Sequence, residues 1–242
     1  MEWDDEKVGN FWSEYSKNEG MAYFTELVGH LVLRFVKKYI SLGGTILDYG
    51  CGRGQLMRLL LLDDKDGSIY GCDFSKESVD SVTTSFKDER HFGGCEYLAS
   101  LPSPFPSDFF STVFLIETIE HLTKTHFDQT LIEISRVTSP GGFVVVTTPN
   151  QENLTQALVR CPDCGAIFHR YQHMQSFSKD RMSEIFAKNG FKTVFCGGIE
   201  LISLGKPFVI RVLLKLYREK IRKIAGANLI YIGKKVEIEA DL

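Results

Sequence analysis

The sequence predicts an α/β fold, a doubly wound and mainly parallel sheet with helices on both faces. Apolar runs of strand length alternate with amphipathic runs of helix length from residue 23 onward, as successive βαβ units require. The run Ile46-Leu47-Asp48-Tyr49-Gly50-Cys51-Gly52-Arg53-Gly54 joins an apolar strand through three alternating glycines to a helix. Ser68-Ile69-Tyr70-Gly71-Cys72-Asp73 then forms a short strand ending in an acid, where the second strand of a βαβ unit delivers a carboxylate to the same crevice.

Each element follows from its local pattern. An apolar-periodic helix covers Tyr23 to Ile40 and precedes the first strand, Thr45-Tyr49. Gln55 to Leu62 is a helix apolar enough to pack on a sheet, and Lys76 to Phe86 is the next. A short strand near Cys95-Tyr97 leads into the proline-marked loop Leu101-Pro102-Ser103-Pro104-Phe105-Pro106, and Ser111-Leu115 is a buried strand. The helix Thr125-Val137 ends near the Pro140-Gly141-Gly142 turn, which launches the strand Phe143-Thr147. Asp180 N-caps a helix that runs to Asn189, and Gly190 stops it. Lys192-Cys196 and Asn228-Gly233 are the last two strands, and no internal repeat is present.

With 242 residues and 43% hydrophobic content, the chain buries a full core as a single domain, residues 1–242. Residues 1–40 form an N-terminal helical cap, in which Phe11-Trp12-Ser13-Glu14-Tyr15 and Tyr23-Phe24 either close over a bound ligand or pack on the core. Residues 151–178 form a cysteine- and histidine-containing insertion. Residues 201–225 mix Val, Leu and Ile with Lys206, Arg211, Lys215, Arg218, Lys220, Arg222 and Lys223, a basic amphipathic helix between the last two strands. That helix reads as a lid or dimer element, with a peripheral membrane or polyanion contact as the alternative. The apolar runs are too short to span a bilayer and the first residues are acidic, so the expected location is cytoplasmic. A net charge of −3 gives no overall pull toward nucleic acid or an anionic membrane. Six cysteines in this length argue against a disulfide scaffold; Cys51 and Cys72 flank the glycine turn, and Cys95 and Cys196 read as small buried strand residues.

Glycine adopts positive φ and admits a ligand where a Cβ would collide, so Gly50, Gly52 and Gly54 form a floor for a small molecule. A carboxylate at Asp73 accepts both hydroxyls of a ribose; equally, Asp73 is the N-cap of the helix that begins near Ser75 or Lys76. The pattern D-x-G-x-G-x-G followed by Asp73 resembles the S-adenosylmethionine site of class I methyltransferases. Dinucleotide dehydrogenases differ, with G-x-G-x-x-G. The resemblance implies that Asp48 orients the cofactor's amino-acid end, that Gly50, Gly52 and Gly54 form the cofactor loop, that Asp73 holds the ribose and that Phe74 lies against the adenine. It implies a Rossmann-like sheet of seven strands in the order 3-2-1-4-5-7-6, the seventh antiparallel. The chain departs from the family pattern at Tyr97-Leu98-Ala99-Ser100, where an acid for the adenine amine is common, and at Phe110-Ser111, where a Phe-Asp pair is common.

Directly after the fourth strand stands Glu117-Thr118-Ile119-Glu120-His121, at the carboxyl edge where ligands of open α/β sheets bind. In a helical turn, Glu117, Glu120 and His121 share one face. Two carboxylates and an imidazole suit Mg²⁺ or Mn²⁺, or a general base; the plainer reading is an acid-rich helix start with His121 packed beneath. The E-x-x-E-H pattern is similar to that of ubiquinone-pathway O-methyltransferases and small-RNA 2′-O-methyltransferases. That similarity implies a metal set of Glu117, Glu120, His121 and, beyond the Thr148-Pro149-Asn150 turn, His173.

The insertion carries Cys161-Pro162-Asp163-Cys164-Gly165 followed by His169 and His173, and this resembles half of a zinc ribbon. A redox-active C-x-x-C or two incidental cysteines are the alternatives. One imidazole cannot serve two separate ions. With His173 assigned to the active site, Cys161, Cys164 and His169 remain as the zinc candidates.

Taken with the resemblance, these residues imply a methyltransferase that uses S-adenosylmethionine and acts on an oxygen of a small-molecule or glycan acceptor, through a Glu/His base or a divalent metal. Small-RNA 2′-O-methylation is the second reading. A catalytically silent S-adenosylmethionine-binding scaffold is the third.

Overall fold

In the strand Phe110–Ile116, Val113 and Leu115 point to one helical layer while Phe114 and Ile116 point to the other, and all four are buried. A strand covered on both faces must be apolar throughout, which is why this one reads as a continuous hydrophobic run. The structure, a computed structural model, describes residues 1–17, 23–62, 67–201 and 228–236.

In chain order the elements are α1 (Asp5–Lys17), α2 (Phe24–Val36), β1 (Gly44–Tyr49), α3 (Gln55–Leu61), β2 (Gly67–Asp73), α4 (Lys76–Phe86), β3 (Phe92–Tyr97), β4 (Phe110–Ile116) and α5 (Lys124–Val137). They continue with β5 (Thr138–Pro149), β6 (Leu158–Arg160), β7 (Ile167–His169), α6 (Lys179–Lys188), β8 (Phe191–Ile199) and β9 (Asn228–Lys235). The main sheet runs β3-β2-β1-β4-β5-β9-β8. Counting only its own strands, β8 is sixth and β9 seventh, so the order is the 3-2-1-4-5-7-6 that the resemblance implies. β9 pairs antiparallel with both neighbours, and the other pairings are parallel.

Helices α2, α3 and α4 cover one face, through Val32, Met57 and Val82 among others, and α5 and α6 cover the other through Leu131, Ile134, Met182 and Phe186. Two elements depart from the local expectation. α6 is preceded by Ser178, whose hydroxyl accepts the Arg181 amide, so Ser178 is the N-cap and Asp180 sits in the first turn. The insertion is not an open loop: β6 and β7 form an antiparallel hairpin, with Leu158 opposite His169 and Arg160 opposite Ile167. The basic segment expected to be helical lies outside the described residues after Leu201. Among the described residues no helix is long and apolar enough to cross a membrane.

The glycine turn is dictated by neighbours as much as by any ligand. Gly54 has φ +75°, and a Cβ there would approach Phe86 Cε2 to 2.6 Å and Val82 Cγ2 to 3.1 Å. Gly54→Ala therefore combines backbone strain with an overlap against the floor of α4, and it should lower folding stability by about 1–3 kcal/mol. Urea denaturation checks this; an unchanged midpoint would show that α4 yields without cost.

Candidate functional site

The carboxyl ends of β1 and β4 meet at one contact. A Cβ on Gly50, which has φ +79°, would lie 2.7 Å from Thr118 Cγ2, so only glycine lets the turn after β1 pass beneath the turn after β4. Thr118 Oγ1 shares its proton between Ile116 O at 3.2 Å and Tyr49 O at 3.4 Å, which fixes the residue across both strand ends.

Asp73 fastens the same turn from the other side. Its Oδ2 accepts the Gly52 amide at 2.8 Å and its Oδ1 accepts the Ser75 amide at 2.8 Å. The N-cap of α4 is Ser75, whose hydroxyl accepts the Ser78 amide, so Asp73 is not the cap. Asp48 is 3% exposed, and burial, followed by the charge of Asp73, pushes its carboxyl up to about 8. A buried carboxyl in that state is protonated near neutral pH until a cationic group against it restores the carboxylate. Phe74 stacks on His126 with centroids 5.5 Å apart and meets Tyr49 edge-on. Asp48, Gly50, Gly52, Asp73 and Phe74 all line one cavity of about 790 Å³. Gly54 braces the helix start beneath them. Cys51 and Cys95 place their sulfurs 3.6 Å apart behind this turn; Cys196 is buried as expected, while Cys95, expected to be buried, is only half-buried.

The E-x-x-E-H segment is not the single helical face that its spacing suggests. Glu117 has φ +49°, and its amide donates to Thr147 O at 3.0 Å, so the chain is still pinned to β5 there. A 3₁₀ turn begins only at Ile119 and ends at His121. Glu120, His121 and His173 consequently bring one donor atom each within 4.8 Å of one another, and Glu117 stands outside that set. Burial raises the Glu117 carboxyl to about 7 and raises Glu120 well above the carboxylate range, the latter helped by the charge of Glu117. Burial and the facing His173 hold His121 down at about 3, so it is neutral. Glu117 Oε1, both carboxyl oxygens of Glu120 and His121 Nδ1 are buried with no hydrogen-bond partner among the described residues. Buried polar atoms without partners are costly, and so many at one place mark a site built for something that binds there.

His173 is held by a residue that the spacing arguments miss. Glu152 Oε2 lies 2.5 Å from His173 Nδ1, which therefore carries a proton and leaves the Nε2 lone pair free. Glu152 Oε1 lies 3.6 Å from His169 Nε2. His169 Nδ1 accepts the amides of His173 at 3.1 Å and Tyr171 at 3.4 Å, so the proton of this ring must be on Nε2. In that tautomer His169 has no lone pair to give a metal. It is also 3% exposed, and its donor atom groups with those of Glu152 and His173 and not with Cys161 and Cys164, so it does not complete a zinc set with the two cysteines. Two further residues join the cap to the site. Trp12 Nε1 donates to Gln172 Oε1 at 2.7 Å, Gln172 Nε2 donates to His121 O at 2.9 Å, and the Trp12 ring meets His121 edge-on at 4.6 Å. Glu152 stands two residues past Thr148-Pro149-Asn150, an acid at the sheet's carboxyl edge that was legible in principle. Gln172 sits alone in an irregular segment and carries no periodic signal.

A family model described as a methyltransferase domain matches residues 21–194. Over 159 residues the chain is 25% identical to a tRNA N(3)-cytidine methyltransferase of Gallus gallus, covering 62% of this chain and 43% of that protein. Over 158 residues it is 27% identical to a malonyl-[acyl-carrier protein] O-methyltransferase of Paenibacillus sp. (strain JDR-2), covering 62% of this chain and 56% of that one. The chain thus spans little more than half of either relative at most. Among solved structures, a Haloferax volcanii complex of the Trm112 methyltransferase activator with a methyltransferase has a chain that superposes with a TM-score of 0.68 at 19% identity, covering 96% of this chain and 99% of that chain.

The raised carboxyls set a pH signature. Asp48 moves from 3.8 to about 8 and Glu117 from 4.5 to about 7 on folding, so the folded state holds protons that the unfolded state releases. Their effect is a loss of stability as pH rises through those ranges; the depressed His121 opposes it only below its unfolded value of 6.5. The ligand-free protein should therefore melt at lower temperature at pH 8 than at pH 6.5, with a slope of up to about 1.4 kcal/mol per pH unit for each titrating group. Asp48→Asn should flatten that slope, and melting curves at both pH values read it; an unaltered slope in the variant refutes the assignment.

Proposed function

The chain belongs to the class I S-adenosylmethionine-dependent methyltransferases, and on that premise we propose that it methylates an oxygen of a small-molecule or glycan acceptor. The observation that carries this reading is the convergence of Glu120, His121 and His173, with partnerless buried atoms on Glu120 and His121, where the two histidines line the same cavity as the glycine turn.

Bound S-adenosylmethionine supplies a methyl group on a sulfonium, and a bound divalent cation supplies acidification of a nearby hydroxyl. Asp48, raised by burial, fits the cationic ammonium of the cofactor's amino-acid end, and the Asp73 carboxylate, already fixed by two amides, presents its remaining lone pairs to a ribose. Phe74 offers the nearby apolar surface for the adenine. Glu120, His121 and His173 would hold the cation. Two imidazoles and one carboxylate suit Mn²⁺ better than Mg²⁺, which favours oxygen donors.

Glu117 has a different task in this reading. Its Oε1 has no partner and its carboxyl sits at about 7, close to the working pH at which a general base is most effective. Glu117 Oε1 would take the acceptor proton, and the bound cofactor would supply the methyl group to the acceptor oxygen. Trp12 and Gln172 hold the cap against His121 and keep water from the reacting atoms.

A nucleic-acid acceptor is favoured by one observation, the likeness to a tRNA methyltransferase, against a chain with net charge −3. Transfer of labelled methyl to small hydroxylated acceptors, glycans and RNA separates the readings. Labelled RNA alone would replace the proposal with the RNA reading, and cofactor binding without transfer to any acceptor would make the chain a scaffold.

The division of labour predicts two different variants. Glu120→Gln should weaken Mn²⁺ binding in calorimetric titration at least tenfold, of the order seen when a site loses a ligand or its support. Glu117→Gln should leave Mn²⁺ binding nearly unchanged and lower kcat by about 10²- to 10⁴-fold. Equal Mn²⁺ affinity in wild type and Glu120→Gln, or none in either, removes the metal from the mechanism.

A further inference from the structure

The cysteine pair that lost its histidine has a geometry of its own. Between β6 and β7 the chain turns through Cys161 to Ala166: the Cys161 amide donates to Ala166 O at 2.8 Å and the Gly165 amide donates to Cys161 O at 3.0 Å, with Gly165 at φ +72°. The amides of Cys164 and Asp163 are directed at the Cys161 sulfur, and this holds its thiol below the ordinary cysteine range. Amides aimed at a sulfur favour the thiolate, the form that binds a soft or borderline cation. Both sulfur-bearing residues remain accessible, Cys161 half-buried and Cys164 exposed.

A structural zinc takes four ligands, and this turn provides two. The other cysteines are Cys51, Cys72, Cys95 and Cys196, and all six histidines are likewise described; none forms a donor cluster with Cys161 and Cys164. The surface around the turn is unlike a solvated loop. Leu158, Val159 and Ile167 are 48%, 36% and 51% exposed on the short hairpin behind it. Arg160 lies over the turn, with Nη2 3.3 Å from where a Gly165 Cβ would stand. The hairpin is also anchored, because the Met1 amine donates to Ile167 O at 2.9 Å and Trp3 meets Phe168 edge-on at 6.0 Å.

We propose that Cys161 and Cys164 form half of a zinc site that a second copy of this chain completes, two thiolates from each, about a two-fold axis through the ion. The occupant is a second copy because two identical turns supply the required four ligands with nothing left over. The charge agrees: four thiolates around Zn²⁺ leave a net charge of −2, and the two Arg160 side chains, one over each turn, offset it. The exposed Leu158, Val159 and Ile167 of the two hairpins are then covered together. The site is separate from the cavity cluster and does not depend on the acceptor proposed above.

The test uses the full chain, reduced and supplied with Zn²⁺ alone, in a His173→Ala background so that the cavity cluster lacks a ligand. Metal content and mass by light scattering are read together. The expected result is one zinc for every two chains, a dimer that chelation returns to monomer, and loss of both zinc and dimer in Cys161→Ser and in Cys164→Ser. Cobalt substitution should add the charge-transfer absorption of thiolate ligands. One zinc per monomeric chain, zinc retained in the serine variants, a dimer indifferent to chelation, or no zinc at all each overturns the proposal. Unchanged circular dichroism in the serine variants makes the loss a statement about the site and not about folding.

Discussion

The close passage of Gly50 beneath Thr118 governs the architecture of the site. The ends of β1 and β4 must approach until a methyl group would reach 2.7 Å, and this brings the glycine turn and the E-x-x-E-H turn to the two sides of one cavity. Asp73 acts in the same sense from β2, since its carboxylate takes an amide from the turn and another from the start of α4. The glycine turn and the E-x-x-E-H turn, the proposed donor and acceptor sides, are therefore fixed by contacts at strand ends, the rigid part of an open α/β sheet.

At the E-x-x-E-H turn the fold accepts a local cost. Glu117 takes a positive φ that a β-strand exit does not require, and Glu120 is fully buried with neither oxygen bonded. Strain and partnerless polar atoms in one place are destabilising, and they persist only where surrounding structure overdetermines them. That surrounding structure is visible: β5 holds Glu117 through Thr147, Gln172 holds the His121 carbonyl, and Glu152 holds His173. The His169 ring supports His173 as well, because its Nδ1 accepts the His173 amide, and the tautomer is dictated by two backbone amides. A histidine that sequence spacing offers as a ligand is instead part of the scaffold that aims another.

Much of the fold was legible because its signals are local. Alternation of apolar strands with amphipathic helices, the glycine turn and the acid at the end of β2 give the elements and the cofactor side, with boundaries shifted by a few residues: α2 stops at Val36, and β3 starts at Phe92 rather than near Cys95. Departures occur where a distant partner decides the outcome. Glu117 fails to join a helical face because Thr147 captures its amide, and Ser178 rather than Asp180 caps α6 because its hydroxyl faces the Arg181 amide.

The sequence by itself determined the alternating strands and helices, the glycine turn and the presence of Glu120 and His121 after the fourth strand, because periodicity, glycine chemistry and strand-end position act within a few residues. Only the tertiary structure decided which of the acids and histidines converge. That choice rests on contacts such as Glu152 with His173 across 21 positions and Gln172 with His121 across 51, and on a tautomer set by backbone amides. Such contacts exist only once the sheet has brought the loops together, so spacing could offer Glu152 as an acid at the carboxyl edge but could neither pair it with His173 nor separate His169 from the cysteine pair.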